Sequence, residues 1–195
     1  MKKSVLFALP LLFACLSARA ETLPLDIDDD LPQLVIDVKL QAPNAKGQRG
    51  VLNVTLDGET LRVPYLDQNH KLSTLVYKDI PVMGGTALHP TSATNGCVQP
   101  VMFPKVTSAR YHNAPMESSI FFGYSINPND FEEALHVDPT NVASHGCIHV
   151  QRKYEKVLYG FIRDNLQSRK TDIGFANFGT GTVPANVCVN VTVGQ

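Results

Sequence analysis

Residues 143–150 read ASHGCIHV and place one cysteine, Cys147, between two histidines, His145 and His149. A thiolate is the reactive form of cysteine, and a neighbouring imidazole can both take its proton and stabilise the resulting anion. Gly146 permits close approach of a substrate, and the backbone N–H groups of 145–147 are placed to converge on a developing oxyanion. The elements of an acyl-transfer centre are therefore local. A metal reading needs His145, Cys147 and His149 on one face, which requires the chain to stay extended past Gly146. No fourth ligand lies at a suitable spacing, so the spacing predicts no metal, and the chemistry calls for no organic cofactor.

Working outward, residues 151–169 (QRKYEKVLYGFIRDNLQSR) place Tyr154, Val157, Leu158, Phe161, Ile162 and Leu166 near one face at helical spacing. This predicts one main amphipathic helix. On the other side of the motif, SSIFFGYSI (118–126) reads as a strand, NPNDFE (127–132) as a turn, and ALHV (134–137) as the returning strand. That hairpin would put His136 near a strand end, with Phe121 and Phe122 as one core residue and one cleft or surface residue. Further strands are expected at 34–40, where Leu34, Ile36, Val38 and Leu40 alternate, at 74–77 (TLVY), and in the C-terminal GTVPANVCVNVTV. The segment VLNVTLDGETLRV (51–63) reads as a hairpin about Asp57-Gly58, a pair that readily takes the positive φ of a type I′ turn. Residues 84–104, rich in Gly, Thr, Ser and Pro, read as long loops. The fold class is mainly β, with mixed or sandwiched sheets and one helix.

The first twenty residues carry two lysines, an apolar run and a small-x-small ending at Ala18–Ala20, the pattern of a secretory signal peptide. Leu12-Phe13-Ala14-Cys15 loosely resembles a lipobox, which makes lipidation at Cys15 the alternative. Residues 21–33 form an acidic N-terminal segment with Asp26, Asp28, Asp29 and Asp30, and 34–195 a single domain. Of 17 basic residues, Lys2, Lys3 and Arg19 leave with the leader, so 14 face 18 acidic ones. This balance, with no basic patch, excludes a nucleic-acid partner, and no stretch reaches the length of a membrane span. Three cysteines remain in the mature chain, an odd number for an exported protein. Cys97 and Cys188 have no histidine close by in sequence, so they are the expected disulfide, leaving Cys147 as a thiol.

The stretch Ser144-His145-Gly146-Cys147, followed by an apolar residue and then by a helix carrying Leu158-Tyr159, resembles the signature of the L,D-transpeptidase (YkuD-type) catalytic domain. The resemblance covers residues 116–160. It implies a β-rich fold and a periplasmic or secreted cysteine acyltransferase that attacks peptidoglycan stem peptides through a Cys147 thioester. It also implies acylation of Cys147 by carbapenem-type β-lactams. The family's upstream histidine comes some sixteen to eighteen residues before the cysteine, a distance at which this chain has none. His136, eleven residues ahead in the hairpin, is the expected base, with Asn127 in the older position. His145 is the loop organiser or reserve base, and Ser144 and Gly146 shape the loop. His149 stands where the family usually has Arg or Asn, and His112, in RYHNAPM, is a candidate cleft residue. HPTSATNG (89–96) is a distant counterpart of a family element before the active site. Hydrolysis of the same thioester, giving a carboxypeptidase or cross-link hydrolase, and a non-catalytic peptidoglycan-binding envelope domain are the alternative functions. A metal-binding envelope protein using His145, Cys147 and His149 is the rival from another class.

Overall fold

The structure is a computed structural model and describes residues 30–108, 114–123, 133–171 and 181–195. Residues 1–20, read as a leader, Cys15, Asp26, Asp28, Asp29, His112, residues 124–126 of the expected strand, the expected turn at 127–132 and Asn127 lie outside the described residues. The fold is mainly β, with one helix among the described residues and a mixed sheet, as the sequence predicts. Its strands are β1 (Leu34–Leu40), β2 (Arg49–Leu56), β3 (Glu59–Thr60), β4 (Arg62–Leu66), β5 (Leu72–Val76), β6 (Ile80–Met83), β7 (Val101–Ser108), β8 (Ala114–Phe121), β9 (Ala134–Val137) and β10 (Ile148–Val150). Helix α1 (Arg152–Asn165) precedes β11 (Ser168–Thr171), β12 (Gly181–Pro184) and β13 (Val187–Val193).

The main sheet has the order β11-β12-β7-β8-β9-β10-β6-β2-β1-β13, with β3 on β2, while β4 and β5 form a separate two-stranded sheet. β1 runs parallel to β13 and β9 parallel to β10; β1–β2, β2–β6, β6–β10, β7–β8 and β8–β9 are antiparallel. In β1 the alternation of Leu34, Ile36 and Val38 is realised as full burial. Asp57 and Gly58 take φ of 49° and 82°, the double positive φ of the expected turn. The second arm of that hairpin pairs with β2 only at Thr60 and Glu59. The chain then leaves at buried Leu61 and continues as β4, which pairs with β5 and rests against α1.

The strands around the quoted motif are buried on both faces. Met102, Ile120, Leu135, Ile148 and Val150 join the main core with Leu158, Tyr159 and Ile162 of α1. Val101, Phe103, Phe121 and Ala134 form a second apolar cluster with Val106, Met116 and Val183. Neighbours along one strand belong to different clusters, which accounts for continuous apolar runs in place of alternation. Phe121 and Phe122 are accordingly both core residues, at 5% and 2% exposure, one in each cluster, and neither lines a cleft.

Three boundaries differ from expectation. Helix α1 ends at Asn165, four residues early, because Leu166 is extended and the chain enters β11, paired with β12 from Ser168 onward. The segment read as loop from 84 to 104 becomes strand at Val101; Pro104 is skipped in the register with β8, where Ser118 takes a φ of 54°. β6 is a strand despite Pro81, which pairs with Val51 but lies beyond the short pairing with β10.

Cys97 and Cys188 form the expected disulfide, across 91 residues of chain and a Cα–Cα distance of 5.4 Å. Paired N–H···O bonds between Val98 and Val189, at 2.9 and 2.8 Å, flank it and lay the 94–98 segment along β13. Closing a loop of that length restricts the unfolded chain by roughly 4 to 5 kcal/mol in the chain-entropy view. Thiol counting on denatured, unreduced protein lacking residues 1–20 therefore gives one thiol, whereas three would refute the pairing; Cys97→Ala/Cys188→Ala lowers the melting temperature by ten degrees or more.

In the first turn of α1, Glu155 is fully buried, and neither of its carboxyl oxygens has a hydrogen-bond partner. Burial pushes its pKa from 4.5 up to about 8. Nearby, the Tyr77 hydroxyl donates to the carbonyl of Tyr154 at 2.8 Å, and burial together with Glu155 raises its pKa well above the phenolic range. Between pH 4.5 and 8 the native state holds a proton on Glu155 that the unfolded state has lost. Stability is thus complete below about 4.5 and falls as pH rises towards 8, by roughly 3 to 5 kcal/mol. Denaturant titrations from pH 4.5 to 8 should show this decline in the wild type and lose it in Glu155→Gln; equal slopes in both proteins would contradict it.

Candidate active site

β9 and β10 lie side by side and parallel, in a register that sets Ile148 opposite Leu135, His149 opposite His136 and Val150 opposite Val137. Continued back by one residue, that register sets Cys147 opposite Ala134. The half-buried Cys147 packs against the second apolar cluster, to which Ala134 and Phe121 belong, and keeps its thiol. Alternation then puts Cys147, Ala134, His136 and His149 on one face, opposite the face covered by α1. Cys147 and His136 are diagonal neighbours on that face, two positions apart in the register.

The turn that delivers Cys147 is fixed residue by residue. Gly146 has a φ of +115°, a conformation that glycine takes without strain. A Cβ there would meet nothing closer than Glu133 Cγ at 3.6 Å, so the requirement for glycine is conformational. Buried Ser144 closes the turn: its hydroxyl donates to the Cys147 carbonyl and accepts the Gly146 N–H at 3.0 Å. That bond takes Gly146 out of the expected oxyanion donors. The Ser144 N–H donates to Gly84 O at 3.1 Å.

Beneath the turn lies a cradle that sequence reasoning missed. Thr91, 1% exposed, accepts the Gly85 N–H at 2.9 Å on its hydroxyl and donates from it to Gly146 O at 2.8 Å. Fully buried Gln48 accepts the Thr91 N–H at 2.6 Å and donates to the Thr91 carbonyl at 3.3 Å. Gly85 is obligatory for space: a Cβ would stand 1.9 Å from His89 O and 3.0 Å from Gly146 N. The Gly84-Gly85 doublet was the available signal, since paired glycines outside a turn mark close backbone approach. Gln48 and Thr91 carry no local signal. Thr91 falls inside HPTSATNG, so part of that segment lies beneath the turn that carries Cys147.

The three candidate histidines separate. His145 is exposed and stacks on His89, ring centroids 4.6 Å apart and 19° between planes. Among the described residues, the one grouping of possible ligand atoms includes neither His145 nor Cys147. His149 is buried, and its Nδ1 meets Val142 O at 2.8 Å, a contact between β10 and the loop before the cysteine. His136, also buried, has its Nδ1 at 3.3 Å from Val137 O, and its ring stands edge-to-face on His149 at 5.0 Å. Burial, followed by the neighbouring His149, lowers the His136 pKa from 6.5 to about 4. The fold gathers His136 and His149 with Asp138, whose Oδ2 lies 3.5 Å from His149 Nε2.

No helix among the described residues is long and apolar enough to cross a membrane. No family model matches the chain, and no curated protein is similar to it. Among solved structures, the chain is similar to the X-ray crystal structure of an L,D-transpeptidase from Mycobacterium tuberculosis H37Rv, at 15% identity and a TM-score of 0.41, over 80% of this chain. The match spans 58% of the length of that protein.

Proposed function

We propose that the chain is an exported cysteine acyltransferase of the L,D-transpeptidase type, acting on peptidoglycan stem peptides. The observation that carries this reading is a half-buried thiol, Cys147, outside the disulfide and on the same sheet face as His136. A carbonyl oxygen only accepts, so the contact of His136 Nδ1 with Val137 O leaves Nε2 as the lone pair that can take a proton. A nucleophile, a base beside it and a third group orienting the base are the parts that nucleophilic catalysis requires. Ser144, Gly146 and Thr91 serve as positioning residues, because they hold the turn and do not touch the reacting atoms.

In the proposed reaction, His136 accepts the thiol proton as Sγ attacks the carbonyl of the diamino acid at stem position three. The C–N bond to the terminal D-alanine breaks, the leaving amine takes the proton, and a thioester remains on Cys147. Backbone N–H groups of the turn that carries Cys147 stabilise the oxyanion. An acceptor amine then attacks the thioester, forming a 3→3 amide and returning the thiol. A buried, neutral ring acts as a general base on a neutral thiol and needs no preformed ion pair.

The test is to incubate the chain without its leader with a stem tetrapeptide ending in D-alanine and to follow products by mass. Release of D-alanine with a 3→3 linked dimer is expected, and Cys147→Ala abolishes it. Tripeptide without dimer would identify a hydrolase, and no release by folded protein would leave a binding domain. His136→Ala should slow release by about 10²–10⁴-fold, whereas an equal loss in His145→Ala with His136→Ala unaffected would move the base to His145.

A further inference from the structure

We infer that His136, Asp138 and His149 form a divalent transition-metal site, of the kind that takes Zn²⁺. One ligand atom from each of the three lies within 4.8 Å of the others. Both imidazoles are held from behind at Nδ1 by backbone carbonyls, His149 by Val142 at 2.8 Å and His136 by Val137 at 3.3 Å. Each Nδ1 therefore carries the hydrogen, and each Nε2 presents its lone pair, the tautomer and outer support that ligating histidines ordinarily have. His149 Nε2 and the Asp138 carboxylate lie 3.5 Å apart and face a common point, which a cation between them would share.

The spacing also fits. Zinc bonds of about 2.0–2.1 Å in tetrahedral geometry separate ligand atoms by roughly 3.4 Å, close to the distance already present between Asp138 and His149. The Asp138 backbone N–H bonds to Val150 O at 3.2 Å, which fixes the carboxylate at the exit of β9. Its side chain is 42% exposed, while that of His149 is 7% exposed, so the metal enters from the Asp138 side and keeps an open position there for water. Two imidazoles and one carboxylate suit zinc better than calcium or magnesium. The site shares only His149 with a ligand set of His145, Cys147 and His149. It also has a consequence that rests on the acyltransferase reading. A metal ion on the His136 lone pair and a proton accepted there exclude each other, so zinc suppresses acyl transfer.

The experiment titrates Zn²⁺ into metal-free Cys147→Ala protein against a chromophoric chelator, which removes the thiol as a ligand and makes the binding result independent of catalysis. One zinc per chain at micromolar affinity or tighter is expected, weakened at least tenfold by Asp138→Asn and unchanged by His145→Ala. The exposed position of Asp138 lets that variant fold, and His149→Gln gives a second loss by the same readout. No stoichiometric binding, or binding indifferent to both variants, would overturn the site. In the active protein, D-alanine release should fall as zinc is added and return with chelator, with Asp138→Asn needing correspondingly more zinc. Unchanged release from zinc-loaded protein would refute the coupling, and absence of release under every condition would count against the acyltransferase reading alone.

Discussion

The parallel pairing of β9 with β10 is the constraint on which the site depends. Parallel neighbours ordinarily need a crossover of a dozen or more residues, usually a helix. Here the connection runs only from Asp138 to Cys147, and it contains no helix. A short crossover without internal ladders must be satisfied by what lies around it. Asp138 bonds back to Val150, His149 to Val142, Ser144 to Gly84 and within its own turn, and Gly146 to Thr91. The same bonds that close the connection hold the thiol at the head of β10, so the loop's folding and the site's geometry are one arrangement.

Support for that loop is passed outward through the fold. Thr91 is held by Gln48, which precedes β2, and the segment after Thr91 is laid along β13 and pinned by the disulfide. On the opposite face, α1 covers β8 and β9 with Leu158, Tyr159 and Ile162. The buried, unpartnered carboxyl of Glu155 beside them is a destabilising feature of the core that the rest of the packing must offset.

Much of this was legible locally. The alternation of 34–40, the strand 134–137 carrying His136 and the helix after the motif are set by periods of 2 and 3.6 within a few residues. The Cys97–Cys188 pairing followed from an odd cysteine count and the chemistry around Cys147. What could not be read was non-local. Residues 48, 91 and 146 meet only because β2, β6 and β10 are neighbours, and no spacing along the chain announces it. His149 looked like a departure from a pattern until the register set it beside His136 and its Nδ1 against Val142. Asp138, an ordinary residue in a turn by sequence, gains its meaning from the same register. The strand at β6 was hidden by Pro81, and the end of α1 by a helical pattern that strand pairing overrode.

The central claim is that Cys147 is an acyl-accepting nucleophile, and it is tested most directly by intact mass after incubation with a carbapenem. One covalent adduct on the wild-type chain and none on Cys147→Ala is the predicted result. No adduct on folded wild-type protein with its thiol reduced would contradict the account.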